Sequence, residues 1–68
     1  MVNEAQKLGA NFRRIRKEKG LSQSEVARTL GVHKGLISNI ENGKANPTLA
    51  TIAKLAKALN VSIEDLIK

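Results

Sequence analysis

The side chains most able to do chemistry in this 68-residue sequence lie between Leu21 and Gly43, and their chemistry is hydrogen bonding. Lys34, Gly35, Ser38 and Asn39 recur at a spacing that puts them outside one helix, while Ile37 and Ile40 turn inward at i, i+3. Covalent chemistry finds little to work with. There is one histidine, His33, and no cysteine, and the six acidic residues are scattered along the chain. General acid–base catalysis needs titratable groups converging in a cleft. Ser22, Ser24, Ser38 and Ser62 are accounted for as caps or exposed positions, and nothing near His33 supplies a second good metal ligand. The chain is not expected to be an enzyme or to hold a metal or cofactor.

Those polar groups depend on two short helices. Ser22 and Glu25 form a capping-box pattern, followed by Val26, Ala27 and Leu30 on one face. Gly31 stops this helix, Val32 plugs the corner, and the next helix runs from about His33 or Lys34 to Asn42. Two helices joined by a tight Gly-containing turn, the second presenting polar side chains, make a helix-turn-helix pattern.

The remaining segments enclose that pair. A first helix is expected from about Asn3 to Lys19, with Leu8, Phe12 and Ile15 inward and Ala5 extending the stripe. Its other face carries Lys7, Arg13, Arg14, Lys17 and Lys19, read either as a solvated face or as phosphate contacts. Pro47 makes a loop after Gly43, and Thr48 caps a helix over 49–59. Its buried stripe is predicted to be Leu49, Ile52, Ala56 and Leu59, with Ala53 and Leu55 flanking. Asn60 ends it, and Ser62 with Asp65 opens a last short helix through about Ile67. The expectation is all-α: five helices and one core in a single domain, residues 1–68.

Twelve Lys and Arg against six Asp and Glu leave a net charge of +6, which favours a polyanionic partner. Trp and Tyr are absent and Phe12 is the only aromatic residue, so stacking of single-stranded bases is not expected. No membrane association is expected, because no segment approaches the length of a span and the start lacks a signal-peptide apolar run.

The order RxxxGLSQxEVAxxLGV, then ISxIENGKxxPTLxTIxKLAKALNV and a closing Leu66, resembles the phage Cro and cI-type repressor family, the Xre-like helix-turn-helix regulators. The similarity spans about Leu8 to Leu66 and extends to small phage repressors and restriction–modification controllers. It implies a compact lambda-repressor-like domain that binds double-stranded DNA through its second and third helices, cytoplasmic, prokaryotic or phage-encoded, and associated with the nucleoid.

Site residues follow by position. Lys34, Gly35 and Asn39 occupy the base-reading positions. A Lys there can donate to guanine O6 and N7, Asn can pair with adenine, and Gly35 departs from the pattern because it reads nothing. His33 stands where a Ser or Thr cap is usual; a phosphate or base contact and an ordinary surface histidine are both open. Leu36 either touches a thymine methyl or packs against the domain. Gln23 matches the glutamine that contacts a phosphate and buttresses the recognition helix, and Arg16 with Glu41 the ion pair that pins it. Asn42, Gly43 and Lys44 resemble a loop that grips phosphate through side chains and backbone N–H groups, with Ser22, Ser38 and Arg13 as further phosphate contacts.

A homodimer on a palindromic operator is expected, because one recognition helix reads too few base pairs. Leu49, Leu55, Ile63, Leu66 and Ile67 supply more apolar groups than one small core needs, and are the expected contact. The competing reading leaves only Ile67 exposed. With the chain ending at Lys68, no inducer pocket or small-molecule ligand is expected. A different function, a protein-binding module such as an antitoxin or switch partner, is the alternative to the DNA-binding regulator.

Overall fold

A computed structural model describes residues 3–68; the first two residues of the expected domain lie outside that range. The chain forms α1 (Glu4–Glu18), α2 (Gln23–Leu30), α3 (Lys34–Glu41), α4 (Leu49–Leu59) and α5 (Ile63–Ile67), with no strand among the described residues.

Local sequence sets the helix boundaries. Asn3, Ser22, Thr48 and Ser62 each accept a hydrogen bond from the backbone N–H three residues on, satisfying a donor the helix itself leaves orphaned. In α1, α2 and α5 the third residue reciprocates, so the capping box is complete. Gly31 ends α2 at φ 70°, and the next N–H, of Val32, reaches back to the Ala27 carbonyl at 3.0 Å. Asn60 does the same work for α4 at φ 59°, a left-handed conformation Asn tolerates.

Each helix turns one apolar stripe to a shared core of Leu8, Phe12, Ile15, Val26, Ala27, Ile37, Ile40, Leu55, Ala56, Leu59 and Leu66. Phe12 is fully buried at its centre. α1 packs on α3 and α5, α2 on α3 and α4, and α4 on α5. The stability of so short an α3 and α5 comes from this packing, since helices of eight and five residues are marginal alone.

The predicted stripe of α4 is corrected in one respect. Leu55 is fully buried and Leu49 is 69% exposed, whereas the sequence pattern put Leu49 inside and Leu55 beside it. At about 100° per residue the two leucines leave opposite flanks of the Ile52–Ala56–Leu59 axis, and periodicity alone does not choose between them. Packing chooses: Leu30, Ile37 and Ile40 line the space beside Leu55. Leu66 is likewise buried under α1, where Asn11 Nδ2 donates to its carbonyl oxygen at 2.8 Å, and Ile63 is half-buried against the core. Leu55 and Leu66, expected at a dimer contact, are therefore core residues; of that set only Leu49 and Ile67 are exposed.

Candidate nucleic-acid interface

The outward face of α3 is built by what its inward face must do. Ile37 and Ile40 have no exposed surface, which fixes the rotation of the helix about its axis. Lys34, Gly35 and Asn39 then share the exposed side, and Ser38 is half-buried at its edge. His33, at the N-cap, is exposed and its side chain caps nothing, so α3 alone among the five helices lacks a side-chain cap bond. Leu36 is 38% exposed, and its inner side lies in a cleft with Leu30, Val32 and Thr51. The partial packing expected as one of its two roles is present, and an exposed edge remains.

The far end of α3 is clamped. Arg16 donates from Nε to Glu41 Oε2 at 2.5 Å and from Nη2 to Oε1 at 3.0 Å, a bidentate pair, while its Nη1 donates to the Leu21 carbonyl at 2.7 Å. Gln23 Nε2 donates to Glu41 Oε1 at 3.0 Å. One carboxylate thus joins α1, α2 and α3. The two ionic side chains are only 10% and 3% exposed, so desolvation opposes the attraction and the net contribution is chiefly geometric. Burial pushes the Glu41 carboxyl up, but the hydrogen bonds from Arg16 and Gln23, with the charges of Arg16 and Arg13, outweigh it and hold the group below the usual carboxylate range.

Two residues that set how α1 packs on its neighbours escaped the sequence reading. Gly9 is buried in mid-α1, where a Cβ would stand 2.1 Å from the Ile40 carbonyl oxygen and 2.9 Å from that of Glu41. Only a residue without a side chain lets α1 come this close to the last turn of α3. The signal was available: glycine inside a helix is unfavourable and needs a packing reason. Asn11, which holds the Leu66 carbonyl, gave no comparable signal, because a lone polar residue on a helix is ordinarily solvated.

The phosphate candidates divide. Arg13 shares a face of α1 with Gly9 and Arg16 at i, i+4, i+7 and acts on Glu41, so it lies toward α3. Arg14 instead faces Glu18, at 3.5 Å, and Asp65. The cationic run of α1 is therefore not one face but two. Asn42 and Lys44 are exposed just beyond α3, with Asn42 Nδ2 reaching Ser38 Oγ at 3.4 Å. The backbone N–H groups of Asn42, Gly43 and Lys44 are spent on the Ser38, Ile40 and Asn39 carbonyls, which leaves side chains alone for the phosphate grip expected at these positions. Ser22 is exposed, with its Oγ accepting from Glu25; Gln23 is half-buried on Glu41.

Comparison with known proteins agrees with this architecture. The family model described as Helix-turn-helix matches residues 12–66. An uncharacterised HTH-type transcriptional regulator of Sinorhizobium fredii is 45% identical over 60 residues, covering 88% of this chain and 78% of the relative. The crystal structure of the restriction–modification controller protein C.AhdI from Aeromonas hydrophila superposes with a TM-score of 0.86 at 35% identity, over 91% of this chain and 94% of that one. The biofilm master regulator SinR, solved in complex with DNA, gives a TM-score of 0.81 at 39% identity, over 90% and 98% of the two chains.

Proposed function

This chain belongs to the helix-turn-helix family of Xre-like, Cro/cI-type transcriptional regulators, and from that premise we propose that it acts as a homodimer on a palindromic operator, with α3 in the major groove. The observation that carries the reading is the treatment of α3. Its outward face bears Lys34, Gly35 and Asn39, unpaired with any other element among the described residues, while Arg16, Gln23 and Gly9 hold its other end rigidly. Groups aimed at solvent from a clamped helix suit direct base readout, which needs donors placed to within a few tenths of an ångström.

In this reading Lys34 donates to guanine O6 or N7, Asn39 pairs with adenine N6 and N7, and His33 lies at the groove edge. Ser38 on α3, with Arg13, Ser22, Gln23, Asn42 and Lys44 around it, takes the phosphates on either side. The net charge of +6 supplies the long-range attraction. The likeness to a restriction–modification controller and to a regulator solved on DNA supports the same direction.

The dimer follows from the size of the readout. A palindrome read by two copies of α3 about 34 Å apart multiplies discrimination without enlarging the domain. Leu49 and Ile67, the most exposed large apolar side chains among the described residues, are the surface for it.

Binding to duplex DNA as a function of salt is the test. With roughly three to five phosphates neutralised per subunit, log affinity should fall with log salt at a slope of about −0.9 for each. A flat dependence would remove the DNA reading.

A further inference from the structure

Of the five glycines in this chain, four answer to the fold itself. Gly20, Gly31 and Gly43 have φ of 71°, 70° and 71°, a left-handed conformation that penalises any residue with a Cβ. Gly9 is pressed against the carbonyls of Ile40 and Glu41. Gly35 answers to no such need among the described residues. It has an ordinary helical backbone in the first turn of α3, and a Cβ built on it meets no atom within 4 Å beyond its chain neighbours and the backbone of its own helix among those residues. Alanine would fit there and would stabilise the domain by restricting the unfolded chain.

The position of Gly35 points to what it serves. At about 100° per residue it lies roughly opposite the direction set by Ile37 and Ile40, with Ser38 and Asn39 on either side. The outermost ridge of α3 is therefore bare backbone between two short side chains, and the longer Lys34 and Leu36 leave from its flanks. A helix with its side chains is about 10–12 Å across and the major groove about 12 Å wide, so even one methyl group on that ridge changes how deeply the helix seats.

We propose that Gly35 determines specificity through the side chain it lacks: α3 seats with its backbone at Gly35 against a base-pair edge, and that depth brings Lys34 and Asn39 within hydrogen-bond reach. The proposal rests on the DNA-binding reading above. Glycine serves here as it does wherever a backbone must approach a ligand closely. A Cβ at this point moves the axis of α3 outward and stretches both contacts beyond the narrow range in which they form.

The experiment compares the full chain with Gly35→Ala and Gly35→Leu. Each is measured for thermal unfolding, and for binding to a duplex selected by the wild type from a random library and to a duplex of shuffled sequence. Gly35→Ala should raise Tm by about 2–8 °C. Its affinity for the selected duplex should fall roughly tenfold or more, and Gly35→Leu should lose more. Binding to the shuffled duplex and its salt slope should change little. The proposal is overturned if Gly35→Ala keeps its affinity for the selected duplex, weakens both duplexes equally, or lowers Tm. If the wild type itself selects no duplex, the DNA reading fails and takes this proposal with it, a result seen before any substitution is made.

Discussion

Arg16 and Glu41, 25 residues apart in sequence, are joined by two hydrogen bonds that tie the last turn of α1 to the last residue of α3. Glu41 sits at a helix C-terminus, where an acidic side chain is intrinsically unfavourable. The guanidinium of Arg16 and the amide of Gln23 reverse that preference. Glu41→Ala should leave a buried guanidinium without its carboxylate and cost about 3–5 kcal/mol, a large share of what a domain of this size possesses. Denaturant unfolding of the variant gives the value directly; an unchanged midpoint would show that the pair does not contribute. Replacing both residues, as in Arg16→Met with Glu41→Leu, should recover part of the loss, because two apolar groups need no compensation.

Acid should unfold the domain partly through the same carboxylate. Glu41 is held below its ordinary value of 4.5 in the folded chain. The stability it contributes is then fully present above that value and is lost as pH falls through the lower folded one. Glu25 and Asp65, lowered by hydrogen bonds from the Ser22 and Ser62 backbones and hydroxyls, act in the same direction. Unfolding free energy should be level near neutrality and decline below about pH 4.5. Glu41→Gln should be less stable at neutral pH and show a shallower decline, which urea titrations at several pH values would resolve.

Gly9→Ala should destabilise the domain by about 1–3 kcal/mol, the usual range for forcing a methyl into a packed contact. The added carbon meets backbone, the Ile40 carbonyl, which cannot swing away as a side chain would. Chemical denaturation checks the size of the loss, and wild-type stability in this variant would mean that α1 and α3 are less closely seated.

Asn39→Ala should cost about 1–3 kcal/mol on the preferred operator and relax preference at one base-pair position. Lys44→Ala should weaken all duplexes alike and lower the magnitude of the salt slope by about 1. Binding of each variant to an operator and to shuffled DNA separates the two patterns. An equal loss on both duplexes for Asn39→Ala would place base readout elsewhere on α3.

Leu49→Glu with Ile67→Glu should leave a folded monomer that no longer binds a palindrome cooperatively, because both side chains are already in contact with water. Leu55→Glu should instead unfold the chain, since it puts an unpaired carboxylate where no solvent reaches. Sedimentation of the first variant and circular dichroism of the second test the distinction. A wild type that sediments as a monomer, with and without DNA, would remove the dimer.

Much of this protein is written in short-range patterns. The starts of α1, α2, α4 and α5 follow from Asn3, Ser22, Thr48 and Ser62, each of which bonds an N–H only three residues away. Gly31 and Asn60 end helices by their own backbone preference. The inward direction of α3 follows from Ile37 and Ile40 at i, i+3, and with it the outward placement of Lys34, Gly35 and Asn39. These features need no knowledge of distant residues, because the groups that decide them are neighbours along the chain.

Tertiary structure decided what depends on a partner far away in sequence. Leu49 and Leu55 flank the same stripe by periodicity, and the shared core, with Leu30, Ile37 and Ile40 on the side of Leu55, puts Leu55 inside. Leu66 looked like spare apolar surface until α1 covered it, with Asn11 on its carbonyl. The cations of α1 form one run in sequence but part in space, Arg13 toward Glu41 and Arg14 toward Asp65. Gly9 shows the reason most plainly. Its role lies in the distance between two backbones brought together by the whole core, a quantity to which no local pattern of residue types corresponds.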